Sequence, residues 1–345
     1  MKKITVLPGD GIGPEVTSAG LAILSRVERR FPELNFELEE CPCGAGEFLR
    51  GGDPLPVQTL RSCRASDAIL LGAMGMPNVR WPDGREMAPQ LDLREQLDLY
   101  AGVRPIRLYN AAHSPLRNPA IDYVLVREST EGLFSSRLKT RVKGAAEVRD
   151  ELLVSRAGSE RLFHFSFQLA RTRKRRLTLV DKANVLPSMA FFREVFDEVA
   201  AQYPDVSTER VYVDAMALFL VRNPERYDVM VTENMFGDIL SDLAAGTVGG
   251  MGMAPSADIG PRWAVFQPAH GSAPDIAGQG KANPVGMILS VGMMLEWFGG
   301  GTHLEAAQLV RHAVETVLAD PANATPDLGG RLTTSELTQK IEAQI

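Results

Sequence analysis

Cysteine is scarce. Three Cys in 345 residues cannot all pair with one another, which excludes a disulfide framework. Cys41-Pro-Cys43 also lacks the second Cys or His pair of a zinc site, so free thiols in a reducing cytoplasm are expected. A long apolar run is missing too. The most apolar stretch, residues 286–300, is broken by Glu296 and is too short to span a bilayer. Met1-Lys-Lys meets Pro8 and Asp10 before any signal-peptide core could form, so the segment reads as a first strand. Neither sign of charge dominates: 37 Lys and Arg face 43 Asp and Glu, a net charge of −6. That argues against a general nucleic-acid or membrane binder. The basic run Arg173-Lys-Arg-Arg176 is explained by cations at a helix C-terminus. Internal repeats and low-complexity linkers are absent. What remains is a globular chain of ordinary composition, 45% hydrophobic, long enough for two domains.

A β-rich run at residues 4–7 leads through Pro8-Gly-Asp-Gly-Ile-Gly-Pro14 into helical apolar spacing over 15–29. The turn could offer backbone N–H groups to an anion. Yet Gly9-x-Gly11-x-Gly13 is neither a dinucleotide fingerprint nor a Walker A loop, and a tight strand-to-helix turn is the simpler reading. Extended runs recur at 35–40, 68–72, 123–126, 177–180, 211–213, 228–231 and 263–266. Helical spacing separates them at 91–100, 159–172, 188–201, 215–221 and 288–298, the alternation of an α/β protein. Residues 72–89 form a loop rich in Gly, Pro and Met, residues 140–156 read as an arm or exposed hairpin, and the chain turns at Gly102.

Asp238 and Asp242 stand four residues apart in a helical stretch, which places both carboxylates on one face. Like charges so spaced cost a helix roughly 0.2–0.5 kcal/mol. A bridging hard divalent cation, Mg2+ or Mn2+, would offset that; the plainer alternative is a solvated acidic face. Arg94, Arg104 and Arg127 lie where extended elements end or bend. Each alone is most simply a surface ion pair. Together, beside a metal-binding pair, they suggest a substrate with more than one carboxylate, since a guanidinium meets a carboxylate through two parallel hydrogen bonds.

Five ordered motifs carry a family resemblance: Leu93-Arg94 with Leu99-Tyr-Ala and Arg104-Pro; Val126-Arg-Glu-Ser-Thr-Glu-Gly132; Asp181-Lys-Ala-Asn-Val185; Thr232-Glu-Asn-Met-Phe-Gly-Asp-Ile-Leu-Ser-Asp242; and His270-Gly-Ser-Ala-Pro-Asp-Ile-Ala-Gly278. They resemble the β-decarboxylating dehydrogenases, the isocitrate/isopropylmalate dehydrogenase family, and the wording is nearest its isopropylmalate branch. The resemblance implies an α/β fold of two intertwined domains on a mixed sheet, distinct from a Rossmann fold. Residues 1–98 plus 252–345 would form the cofactor-side domain. Residues 99–251 would form a dimerisation domain carrying the arm, Lys182 and the metal ligands.

The implied reaction is NAD-dependent oxidative decarboxylation of a 3-substituted malate. Arg94, Arg104 and Arg127 would grip substrate carboxylates, and Asp214, Asp238 and Asp242 would hold Mg2+ or Mn2+. Lys182 would accept the hydroxyl proton. Family members take the equivalents of Lys182 and Asp214 from the second subunit, which implies a homodimer with shared sites. His270, Gly271, Ser272, Ala273, Asp275, Ile276 and Asn283 resemble the adenosine loop, and Ile12 a nicotinamide-side contact. An acidic Asp275 favours NAD over NADP.

Two departures stand out. Phe134 occupies the place of a family tyrosine credited with protonating the carbon left after CO2 departs, and it has no proton to give. General acids contribute about 10²–10⁴-fold, so water, Ser135 or Lys182 would substitute, or the chemistry is slowed. In the loop before Arg94, Met87 and Gln90 replace residues of the isopropyl pocket while Leu91 remains. Gln90 suggests a polar or hydrogen-bonding substituent. Alternatives are therefore a tartrate, D-malate or homoisocitrate type of enzyme, a member with impaired decarboxylation, and an NAD-binding relative without turnover.

Overall fold

The computed structural model describes residues 1–117, 119–139 and 144–345. Its strands are β1 (Lys2–Gly9), β2 (Phe36–Glu40), β3 (Ala68–Ala73), β4 (Ala101–Arg107), β5 (Asp122–Glu128), β6 (Arg176–Asp181), β7 (Ser207–Tyr212), β8 (Val229–Thr232), β9 (Pro255–Ile259) and β10 (Ala264–Pro268). They form one sheet in the order β2-β1-β3-β10-β9-β4-β5-β8-β6-β7. Pairing is parallel at both ends, whereas β9 runs antiparallel to β10 and β4, and β4 to β5. This is the mixed α/β sheet that the family resemblance implies. Strands of residues 1–98 and 252–345 lie on one side of the β9–β4 junction, and those of 99–251 on the other.

Helices cover both faces. Val285–Phe298 is apolar on nearly every side and is buried from Val285 to Gly292, as an all-round hydrophobic helix must be in a globular protein. It packs on β9, β10 and the helices Gly13–Arg30 and Gly301–Leu318. Among the described residues, no helix is long and apolar enough to cross a membrane. Cys41, Cys43 and Cys63 are free and buried, and burial raises the Cys43 and Cys63 thiol pKa values, leaving them protonated.

The glycine-rich turn is an internal tie. The Asp10 carboxylate accepts backbone N–H bonds from Ala45 (2.7 Å), Gly46 (2.8 Å) and Gly75 (2.8 Å). Gly9 and Gly11 hold φ of 75° and 59°, the left-handed region that glycine enters freely.

Three expectations need correction. The helix after the loop is Pro89–Gln96, because Asp98 takes φ 50° and turns the chain into β4. Gly102 does not turn the chain but pairs with Arg127 inside β4. Residues 255–259, outside every extended run expected from the sequence, form β9, every residue of which is buried. A strand covered on both faces shows no alternation. Of the expected arm, residues 140–143 lie outside the described residues; 144–150 are exposed and irregular, and Leu153 makes one antiparallel bridge to Gly132.

Candidate active site

Arg104 and Arg127 come from neighbouring antiparallel strands, with Gly102 opposite Arg127. Residues 102, 104 and 127 therefore share a face of the sheet. The helix Asn234–Gly246 lies directly over it. A Cβ at Gly237 would come within 2.7 Å of the Arg127 side chain, so only glycine permits this approach. Arg94 reaches the same cavity from the last turn of Pro89–Gln96. Side chains of all three arginines are nearly inaccessible, at 7%, 8% and 2% exposure for Arg94, Arg104 and Arg127.

The cavity they line has a volume of about 230 Å³, with walls that include Met74, Gln90, Leu91, Phe134, Asp238 and His270. Arg127 donates through Nε (3.0 Å) and Nη2 (2.6 Å) to Asn234 Oδ1, and through Nη1 to Asp238. Arg104 Nη1 donates to Ser241 Oγ at 2.8 Å and lies 3.5 Å from Asp242 Oδ1. Arg94 Nε donates to Asp258 Oδ2 at 3.0 Å. Burial, and then the charge of Arg94, lowers the pKa of Arg104 and of Arg127. Crowded buried cations of this kind favour an anionic ligand. Phe134 stacks over one of them, its ring centroid 5.0 Å from the Arg127 guanidinium carbon.

Asp238, in the cavity wall, and Asp242, beside Arg104, share one face of their helix, with side chains 41% and 58% exposed. Burial raises the Asp242 pKa, opposed by Arg104. Among the described residues no three His, Cys, Asp or Glu side chains gather into a metal-sized group. Asp214 is thus separate from the other two within one chain. It pairs instead with Lys182 at 2.6 Å, a hydrogen bond that lowers the Asp214 pKa. Its carboxylate is 68% exposed, and the pair is absent from the cavity walls.

At the opposite wall, His270 and Gly271 line the cavity. His270 Nδ1 pairs with the Gly271 carbonyl at 2.9 Å, while Nε2 is buried without a partner. Ser272 ties the loop down: its carbonyl accepts from Ile12 N at 2.8 Å and its hydroxyl donates to Gly75 O at 2.5 Å. Ala273 takes φ 36°, Asp275 is exposed and Ile276 half-buried. Asn283 accepts from Val285 N (3.0 Å) and donates to Asp327 (3.1 Å). Met87 is 2% exposed and is not among the residues lining the cavity, whereas Met74 is. Gln90 and Leu91 line the cavity, and Gln90 Oε1 is buried without a partner.

Sequence reasoning missed Asp258, Gln267, Asn234 and Ser241, all of which support the arginines. Asn234 and Ser241 fall within a quoted motif, and their spacing from Asp238 was a usable signal. Asp258 had no such signal until β9 was known to be a strand.

Residues 3–341 match the family model described as isocitrate/isopropylmalate dehydrogenase. A 3-isopropylmalate dehydrogenase of Geobacillus kaustophilus (strain HTA426) is 45% identical over 361 residues, covering 99% of this chain and 95% of that relative. One from Lactococcus lactis subsp. lactis (strain IL1403) is 43% identical over 346 residues, covering 99% and 98%. Among solved structures, isocitrate dehydrogenase from Methylococcus capsulatus superposes with a TM-score of 0.90 at 36% identity, covering 100% of this chain and 99% of that one. The apo β-decarboxylating dehydrogenase of Thermococcus kodakarensis gives a TM-score of 0.82 at 36% identity, covering 100% and 96%. With five motifs, the mixed sheet and matches along nearly its whole length, the chain belongs to the isocitrate/isopropylmalate dehydrogenase family.

Proposed function

We propose that this chain is a homodimeric, cytoplasmic dehydrogenase that uses NAD and Mg2+ or Mn2+ to oxidise and decarboxylate a 3-isopropylmalate-like hydroxy diacid. The observation that carries the reading is the convergence of three buried arginines on one cavity beside Asp238. The relatives' names and the apolar walls at Leu71, Met74 and Leu91 supply the substituent.

The residues fit both the dication and the dinucleotide. Asp238, in the cavity wall, and Asp242, beside Arg104, are hard oxygen donors, as Mg2+ and Mn2+ require. Asp214 of the partner subunit would complete the set, and its exposure in the single chain fits that role. Leu218, Val221 and Ile239, on the helices Val213–Arg222 and Asn234–Gly246, are 53%, 43% and 60% exposed, an apolar face suited to the second subunit. The orphaned His270 Nε2 and the exposed Asp275 fit an adenosine, hydrogen-bonding its base and ribose. When bound, the nicotinamide accepts the C2 hydride and the dication polarises the C2 hydroxyl.

This chain's own residues do the rest. Arg94, Arg104 and Arg127 hold the two carboxylates and thereby fix the orientation of C2. Lys182 of the partner subunit, as the neutral amine, takes the hydroxyl proton on its lone pair, and the partner's Asp214 holds the resulting ammonium in place. The bond from C3 to its carboxylate then breaks, CO2 leaves, and the electron pair remains at C3 as an enolate. Phe134 covers that carbon without offering a proton, so the proton comes from water or Lys182.

A second reading rests on Gln90 Oε1, whose missing partner favours a substituent carrying a hydrogen-bond donor. Initial rates with NAD and Mn2+ on 3-isopropylmalate, D-malate, tartrate, isocitrate and homoisocitrate separate the two. Preference for 3-isopropylmalate supports the leading reading. Preference for tartrate supports the second, and NAD binding without turnover of any acid contradicts both.

A further inference from the structure

Asp258 takes no part in the substrate grip; its side chain is only 3% exposed and sits behind the cavity wall, where it holds the wall residues Arg94 and Gln267. Its Oδ2 accepts from Arg94 Nε at 3.0 Å and from Gln267 Nε2 at 2.7 Å. Its Oδ1 faces Gly102, where an added Cβ would stand 3.3 Å away. A bare buried carboxylate is costly, so Asp258 is built to stay paired with Arg94, which is itself 7% exposed.

The pair sets a charge count. Arg94 is matched by Asp258 before any ligand arrives. Arg104 and Arg127 face Asp238 and Asp242, the half-exposed carboxylates assigned to the dication. Lys182 of the partner subunit and Asp214 of the partner subunit, paired with each other, cancel; the side chains together are therefore neutral, and with the dication the cavity would carry two positive charges. A dicarboxylate cancels these, whereas a tricarboxylate leaves one negative charge buried and unpaired. Were Asp258 neutral, Arg94 would be free to answer a third carboxylate.

We infer that Asp258 is a specificity-determining residue: by neutralising Arg94 it restricts the cavity to dicarboxylates whose third substituent is uncharged, and excludes tricarboxylates. The inference rests on the hydroxy-diacid reading above and narrows it. Gln267 offers a route to moving the charge, because its amide already sits one hydrogen bond from Asp258.

The test is direct calorimetric binding of 3-isopropylmalate and isocitrate to the Mn2+-loaded full chain, without NAD and so without turnover. The wild type is expected to prefer the dicarboxylate. Asp258→Asn is expected to shift the affinity ratio at least about tenfold towards isocitrate, which corresponds to about 1.4 kcal/mol. The double change Asp258→Asn with Gln267→Glu returns a carboxylate to the cluster and is expected to restore the wild-type preference. Should Asp258→Asn not fold, Gln267→Lys neutralises the same carboxylate and must move the ratio in the same direction. A ratio unchanged within about twofold in a variant that melts like the wild type overturns the inference, since a lost buried pair is felt at several times that level. So does a wild type that prefers isocitrate. A wild type that binds neither acid overturns the functional reading and the inference with it.

Discussion

Replacing Phe134 by Tyr restores a hydroxyl where the cavity lacks a proton donor. The ring already stands over Arg127, with its centroid 5.0 Å from the guanidinium carbon, and is half-buried at the wall. The added oxygen therefore meets the cavity or solvent rather than a packed core, and the change in unfolding free energy should stay within about 0.5 kcal/mol. A positioned general acid contributes about 10²–10⁴-fold, which is about 3–5 kcal/mol of barrier at 1.36 kcal/mol per tenfold. Water or Lys182 already supplies part of this, so the gain in the protonation step should fall at or below the lower end of that range, about tenfold to a hundredfold. Rapid-quench single turnovers with NAD, Mn2+ and the preferred acid would follow NADH, CO2 and the protonated 2-oxo acid separately. Hydride transfer should change little while formation of the protonated product accelerates. Identical progress curves for all three species in Phe134→Tyr and wild type would refute the missing-acid account.

The shared site predicts complementation. Lys182→Met and Arg127→Gln are each expected to be inactive, and refolding an equal mixture should recover about a quarter of wild-type activity, since half of randomly paired dimers hold one intact site of two; no recovery contradicts the sharing. Asp10→Ala strips three N–H groups of their acceptor, Ala45's buried and those of Gly46 and Gly75 part-buried, and should cost about 2–3 kcal/mol, read as a lower urea midpoint with unchanged slope. Burial lowers the His270 pKa, so the folded value lies below the unfolded value of about 6.5. Its contribution to stability is thus present above pH 6.5 or so and is lost as the pH falls through the folded pKa. An NMR titration of the His270 ring should give a midpoint below 6.5 or so, and one above it contradicts the buried neutral ring.

Much of this site was legible because its chemistry is local in sequence. Asp238 and Asp242 share a helix face by spacing alone, and Gly237 between the motif's Phe236 and Asp238 lets Arg127 pass beneath. Arg127 follows from a strand recognisable by its apolar run at 123–126, whereas β4, which carries Arg104, has no β-branched run and Gly102 suggested a turn there. Less visible were contacts made by topology. Asp258 meets Arg94 only because β9 pairs with β4 in mid-sheet, and a strand buried on both faces gives no periodic signal. Met87 looked like a pocket residue from its place in the loop but turns inward, leaving Met74 at the wall. The glycine-rich turn was ambiguous because Asp10's three partners come from residues 45, 46 and 75, far away in the chain.

Oxidation coupled to loss of the C3 carboxylate is read from the ratio of CO2 released to NADH formed from 3-isopropylmalate with NAD and Mn2+. One CO2 for each NADH is expected, with both abolished by a chelator. NADH without CO2, or neither product from this acid, would contradict it.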